Sequence, residues 1–159
     1  MRKISIFCVI TLILLLTLTV DPAAASSRPL AINFESTMVL PGEGMNYGTF
    51  TATGPAVDAG IVCPSGDVID TSLKPAGFQS QTGINFQVEK RFTCADGSGE
   101  FFMKLQVRVD RKGNNFHWVV TGGTGPYERL HGSGSGYGTS SPDLPGIVFD
   151  HYKGKVHID

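Results

Sequence analysis

The sequence predicts an all-β fold made of short antiparallel strands. Apolar and polar side chains alternate with a period of two over most of the chain after residue 25, which is typical of strands with one buried and one wet face. Turn-forming residues separate these runs, and all 20 glycines lie after residue 25. No dozen consecutive residues in this region show the apolar spacing of an amphipathic helix, so we expect no significant helix.

The first 25 residues have the composition of a secretory signal peptide. Arg2 and Lys3 give a basic start, residues 4–20 carry no charge, and small residues surround position 25. An uncleaved membrane anchor is the alternative, but the apolar run is short for a span of ~20 residues. We therefore predict cleavage after residue 25 and a secreted, periplasmic or extracellular domain over 26–159.

The region 26–159 has the size of one domain and begins with strands of irregular pattern. We predict strands near 30–39, 46–53, 58–63 and 67–71, followed by a loop over 72–83 because of its proline and glycines. A chain of this length buries about two-thirds of its unfolded surface.

The middle of the domain predicts an antiparallel meander of three strands. Residues 84–92 alternate, residues 95–99 have the composition of a hairpin turn, and residues 101–110 alternate most regularly of all. A second turn leads into 115–121, and weaker strands follow at 127–139 and 147–158. About eight strands and no domain boundary indicate a closed barrel or a sandwich.

Two cysteines, Cys63 and Cys94, lie in the predicted exported domain. Two thiols in an oxidising compartment most simply pair, and closing a loop of about 30 residues stabilises a fold by roughly 3–4 kcal/mol. Free thiols or a metal site are the alternatives, but zinc usually has four ligands. We predict a disulfide.

Several function classes are disfavoured by composition. The net charge is −1, and no long basic run is present, so neither nucleic acid nor, after cleavage, a membrane is an expected partner. No cofactor motif or nucleophile elbow occurs, and the four histidines (His117, His131, His151 and His157) lack chelating spacing, so no cofactor or metal is expected. Catalytic residues remain unassigned, since distant strands can bring any two carboxylates together.

The segment 121–138 is the most distinctive part of the sequence. It is rich in glycine and continues into a period-two stretch rather than a helix, which excludes a phosphate-binding loop. We predict a tight turn followed by a strand with one bare face, and packing explains such a face better than a ligand does. The residues of this motif are Gly122, Gly123, Gly125, Tyr127, Gly132 and Gly134.

The order of these features resembles the allene oxide cyclase and dirigent superfamily. An Arg-Phe pair at 91–92, a glycine turn, an alternating strand and an aromatic strand precede Thr-Gly-Gly-Thr-Gly-x-Tyr-x-x-Leu-x-Gly at 121–132. The resemblance spans about 89–139, and it implies an eight-stranded antiparallel barrel of calycin type, often a homotrimer. Plant members are cyclases or guide radical coupling, but many similar bacterial secreted proteins have no established function. The catalytic glutamate and asparagine of the plant enzymes do not transfer to Glu35 or Asn33.

In such a barrel, alternation places several aromatic side chains on the lumenal face. Lys90 shares its parity with apolar neighbours, so it either lies in the lumen or reaches outward through a bulge or an extended stem. A lysine in the lumen is a functional candidate. The candidate lumenal or ligand-binding residues are Phe86, Lys90, Phe101, Phe116 and Trp118.

The leading functional hypothesis is a secreted barrel that binds a small, largely apolar molecule in its lumen. The first alternative is a cyclase or isomerase, which predicts a buried polar or charged side chain in the lumen. The second is a non-catalytic envelope interaction module, which predicts a contiguous apolar patch on the outer wall.

Overall fold

The chain folds into a closed eight-stranded antiparallel β-barrel. The computed structural model describes residues 28–77, 83–111 and 113–159, so the predicted signal peptide over 1–25 lies outside the described residues. Each strand pairs with the next along the chain, and the last strand closes the barrel against the first. The predicted all-β barrel is therefore confirmed. The strands are β1 Leu30–Val39, β2 Tyr47–Thr53, β3 Ser65–Pro75, β4 Gly83–Cys94, β5 Glu100–Asp110, β6 Gly113–Gly123, β7 Leu130–Ser140 and β8 Ile147–Ile158.

The helical content of the described chain consists of two short segments. Helix α1 covers Pro55–Asp58, and a 3₁₀ turn covers Gly125–Tyr127. Within the described residues, neither segment nor any other helix is long and apolar enough to cross a membrane.

The strand predicted at 58–63 is wrong. These residues form the end of α1 and the connection from it to β3. Val62 and Cys63 are buried, as an apolar strand would require, but they pack at the end of the barrel as part of a cap. A proline at the first helical position supplies the helix start that the apolar pattern concealed.

The loop predicted at 72–83 is wrong in its first part, because β3 continues to Pro75. A β-bulge shifts the register of β3 against β4 between Asp70 and Ser72. After the bulge, Leu73 takes the inward parity and pairs with Val88. The loop was predicted from the proline and glycines of this segment, but Pro75 is the last residue of β3 and Gly83 is the first of β4. The predicted strand 127–139 likewise begins later, at Leu130.

The two ends of the barrel differ. At one end, called here the closed end, lie α1, the β4–β5 turn, the 3₁₀ turn and the termini of the described chain. At the other end, called the mouth, β1, β3, β5 and β7 end and β2, β4, β6 and β8 begin. Ala56 of α1 is fully buried, which shows that the helix seals the closed end.

Aromatic rings fill the interior at the closed end. Phe34 lies at their centre and contacts five other rings at centroid distances of 5.9–6.3 Å. Phe92 and Phe101 stack at 4.8 Å with an interplanar angle of 6°. Each buried ring removes a large apolar area from water, and edge-to-face pairs add about 0.5–1.5 kcal/mol each.

The predicted disulfide between Cys63 and Cys94 is confirmed. It joins the β2–β3 connection to the end of β4, so it ties the cap to the barrel wall. The hydroxyl of Tyr127, which belongs to the glycine motif, lies 2.9 Å from Ser98 Oγ and 3.4 Å from Cys94 Sγ. The motif thus helps to close this end of the barrel.

The bare face of β7 makes room for rings from β6. A Cβ atom on Gly134 would lie 2.7 Å from Trp118 Cζ2, and one on Gly136 would collide with the ring of Phe116. Gly154 on β8 meets the same edge of Trp118. The predicted packing role is confirmed, since these glycines let two large side chains lie inside a narrow barrel.

Gly134→Ala is expected to lower the free energy of unfolding by about 2–3 kcal/mol, because the added methyl group overlaps Trp118 and the backbone of β8. Urea unfolding monitored by tryptophan fluorescence measures this effect. Ser135→Ala, on the outer face of the same strand, is the control and should change stability by less than about 0.5 kcal/mol. Equal stability of the two variants would contradict the packing role.

Candidate functional site

The lumen is open at the mouth and forms a pocket of about 220 Å³, called here the lumenal pocket. Its walls are mainly apolar, and polar side chains lie at its base where the aromatic core begins. The apolar lining residues are Met38, Leu40, Leu73, Phe86, Val88, Leu105, Val107, Val109, Phe116 and Val148, and the polar ones are Asn46, Asp70, Lys90, Asn114 and Asp150.

A buried lysine and two buried aspartates form the base of the pocket. Lys90 Nζ donates to Asp70 Oδ1 at 2.7 Å and lies 3.7 Å from Asp150 Oδ2. The three residues are at most 6% exposed. Burying a charge is costly unless it is paired, so these groups form one electrostatic unit, called here the charged cluster.

Strand register brings this cluster together. Lys90 on β4 pairs directly with Asp70 on β3, just before the bulge, so both side chains share the inward parity of their neighbours. Asp150 reaches the same level from β8 across the lumen. The register that begins with Gly66 and Cys94 is kept as far as this pair, so the opposite charges lie side by side before the bulge changes the register.

Two of the polar contacts at the base hold the aspartates in place. Asn46 Nδ2 donates to Asp70 Oδ2 at 2.7 Å. The Tyr152 hydroxyl donates to Asp150 Oδ2 at 3.3 Å. Burial, reinforced by the neighbouring Asp150 carboxylate, raises the pKa of Tyr152 well above its ordinary value, so its phenol keeps the proton and acts as donor.

Burial also raises the pKa of Asp150 above its ordinary value. The positive charge of Lys90 and the hydrogen bond from Tyr152 act in the opposite direction, but the loss of solvation dominates. A carboxyl group with a raised pKa in a largely apolar pocket is a candidate functional group.

Two further polar atoms near the base have no hydrogen-bond partner within the described chain. They are Ser36 Oγ and Asn114 Oδ1. The amide of Asn114 lies over Gly138, where a Cβ atom would be 2.6 Å from Asn114 Nδ2 and 2.8 Å from Asp150 Oδ1. The glycine face of β7 therefore also makes room for polar groups at the pocket base.

The five predicted lumenal residues divide into two groups. Phe86, Lys90 and Phe116 line the lumenal pocket. Phe101 and Trp118 face inward as expected, but they lie in the packed core and are at most 1% exposed. Asp70 and Asp150 were not among the predicted residues. Their parity with buried neighbours was the available signal, but only strand pairing shows that they face Lys90.

The four histidines of the chain do not line the lumenal pocket. His117 is exposed on the outer face of β6, and His131 and His157 stack at 5.6 Å near the closed end. His151 packs against Tyr137 at 4.8 Å in an outer groove of about 760 Å³. No group of three or more potential metal ligands occurs among the described residues.

Comparison with known proteins gives no family and no function for this site. No protein-family model matches the chain, and no curated protein matches it. Among solved structures, the chain is similar to the crystal structure of Ail, the attachment invasion locus protein of Yersinia pestis, at 8% identity. The match covers 82% of this chain and 95% of that one with a TM-score of 0.19, and at that score the likeness supports no inference about function.

Lys90→Met is expected to destabilise the fold by about 3–5 kcal/mol, because it leaves Asp70 and Asp150 buried without their cation. Asp70→Asn added to it should recover part of this loss, so that the effects of the two substitutions are not additive. Urea unfolding of both single variants and the double variant measures the coupling. Lys153→Met on the outer face is the control, and additive effects would contradict the cluster.

Asp150→Asn is expected to gain stability relative to the wild type as the pH rises from about 4 to about 7. Because its pKa is raised, Asp150 keeps its proton in the folded protein at a pH where the unfolded chain has lost it, so the contribution of Asp150 to wild-type stability falls as the pH rises above 3.8. Asparagine does not titrate. Thermal melting across this range tests the prediction, with Asp67→Asn on the outer face of β3 as control. A constant difference in Tm between Asp150→Asn and the wild type would contradict it.

Proposed function

We propose that this protein is an exported barrel that binds a small, largely apolar molecule in the lumenal pocket. The observation that carries the proposal is a pocket with apolar walls, an open mouth and a few convergent polar groups at its base, which is the usual composition of a ligand site. The confirmed disulfide supports folding in an oxidising compartment, in agreement with the predicted export.

The distribution of exposed apolar side chains also favours the lumen over the outer wall. Among the described residues, six of the exposed large apolar side chains lie at the mouth end, whereas Val119 and Tyr137 lie on the wall. An envelope interaction module would need a contiguous apolar patch on the wall. The six residues at the mouth are Leu40, Met45, Tyr47, Leu73, Ile84 and Leu144.

A cyclase or isomerase is the second candidate, and the charged cluster is the observation that favours it. A barrel that folds a reactive substrate needs at least one polar group to polarise it, and Lys90 with Asp150 supplies an acid and a base in an apolar site. The resemblance of residues 89–139 to the allene oxide cyclase and dirigent superfamily points the same way. The resemblance also implies an eight-stranded barrel, which is the fold of this chain, and a homotrimer.

Native mass spectrometry of the full chain, expressed with export, tests ligand binding. We expect a bound small molecule that is lost on denaturation. Val107→Phe should abolish this bound mass by filling the pocket, whereas Val119→Phe on the outer face should retain it. A wild-type protein that carries no bound mass, and that no apolar fragment stabilises in thermal melts, would contradict the proposal.

The same preparation separates the two candidate functions. If the barrel only binds its ligand, a released ligand that is incubated with fresh protein should be recovered chemically unchanged. A product of unchanged mass and altered chromatographic retention would support an isomerase. The oligomer masses in the same spectrum test the homotrimer that the resemblance implies.

A further inference from the structure

The lumenal pocket carries more negative than positive charge. Among the described residues that line it, the ionisable ones are Lys90, Asp70 and Asp150, which give one positive and two negative charges when all three are ionised. Most of the other lining residues are apolar, so solvent screens this imbalance poorly.

The carboxylate oxygens of the two aspartates differ in their hydrogen bonds and ion pairs. Both oxygens of Asp70 have close partners, Lys90 Nζ on one and Asn46 Nδ2 on the other, each at 2.7 Å. Asp150 receives the Tyr152 hydroxyl on Oδ2 at 3.3 Å, and Lys90 Nζ stays 3.7 Å away. Within the part of the chain that the structure describes, no donor hydrogen-bonds to Asp150 Oδ1. Asp150 is therefore the carboxylate that the fold leaves partly compensated.

We propose that the lumenal pocket takes a small hydrophobic amine, whose ammonium group pairs with Asp150 while its apolar body lies against the inner face of β5, between Phe86 and Phe116. This inference rests on the proposed function and specifies the head group of the ligand. An ammonium group would neutralise the excess negative charge of the cluster and donate to Asp150 Oδ1. A carboxylate ligand would add a third negative charge to a poorly screened site, and like charges at close range cost several kcal/mol.

The size of the pocket limits the apolar body of the ligand. An apolar cavity of about 150 Å³ holds a benzene molecule, so 220 Å³ accommodates one aromatic ring with a short arm and a head group. Phe86 and Phe116 are in register with Val107 on either side of it, and all three line the pocket. A ring placed between them can pack against both aromatic side chains.

Protons compete with the amine for Asp150. The charged and titratable groups that act on this carboxyl are Lys90 from β4, Asp70 from β3, Tyr152 from β8 itself and His151 on the outer side of β8. Because burial raises the pKa of Asp150, a falling pH protonates it and removes the partner of the ammonium group. Affinity for the amine should therefore increase with pH, while affinity for a neutral ligand should not.

Three ligands of nearly equal size test the inference by differing in head-group charge. They are 2-phenylethylamine, 2-phenylethanol and phenylacetate, and their affinities for the exported full chain are measured by isothermal titration calorimetry near neutral pH. We expect the amine to bind at least about tenfold more tightly than the alcohol, and phenylacetate to bind most weakly. Asp150→Asn should remove the preference for the amine and keep the alcohol, and Asp67→Asn should behave as the wild type.

The outcomes distinguish this inference from the proposed function. If the alcohol binds as well as the amine, or if Asp150→Asn keeps the preference, the amine assignment is overturned and the lumenal site stands. If none of the three ligands binds to the wild type, the amine assignment is overturned. Native mass spectrometry of the exported chain then decides whether the lumenal pocket binds another small molecule. Where Asp150→Asn does not fold, the wild type decides. A raised pKa places the titration of Asp150 above pH 3.8, so an amine affinity that stays constant from about pH 4 to about pH 8 overturns the assignment.

Discussion

The interior of a closed eight-stranded barrel is narrow, and its contents are set by how many side chains can share that space. This chain meets the constraint by leaving one wall bare. Glycines on β7, with Gly154 on β8, let the rings of Phe116 and Trp118 lie across the lumen. The rings at the closed end pack solidly around Phe34. The unfilled remainder of the interior is therefore concentrated at the mouth, where the lumenal pocket lies.

The charged cluster lies at the boundary between the packed core and the pocket. Lys90 and Asp70 form a close ion pair, which limits the energetic cost of burying their charges. Asp150 is held by the weaker contacts and has the raised pKa. The cluster thus combines a close ion pair with a carboxyl group whose negative charge is only partly compensated by its neighbours. The same three side chains therefore affect both the stability of the barrel and the charge at the base of the lumenal pocket.

Much of the fold could be predicted from the sequence because strand faces depend on local alternation. The inward face of β5, the Cys63–Cys94 disulfide and the packing role of the β7 glycines all follow from residue type and parity. The prediction failed beyond the bulge after Asp70, where Pro75 and Gly77 indicated a loop although β3 continues to Pro75. It also failed where apolar residues serve as a cap, as at Val62 and Cys63.

The site was less accessible to sequence reasoning because it depends on pairing between distant strands. The parity of Lys90 indicated that it was a lumenal candidate, but the sequence left open whether its side chain lies in the lumen or reaches outward. The partners Asp70 and Asp150 lie 20 and 60 positions away in the sequence, and no local pattern predicts that they meet. Barrel closure between β8 and β1 brings Asp150 to the lumen opposite Lys90.

The placement of the chain ends has a practical consequence. Leu30 begins β1 beside Val156 of β8, so the described chain enters and leaves the barrel at the closed end. A tag or linker joined just before β1 or just after β8 would attach the protein to a sensor surface by its closed end, with the mouth directed toward the solution. Immobilised in this way, the barrel would present its cavity to a flowing analyte without an adapter grafted into the strands.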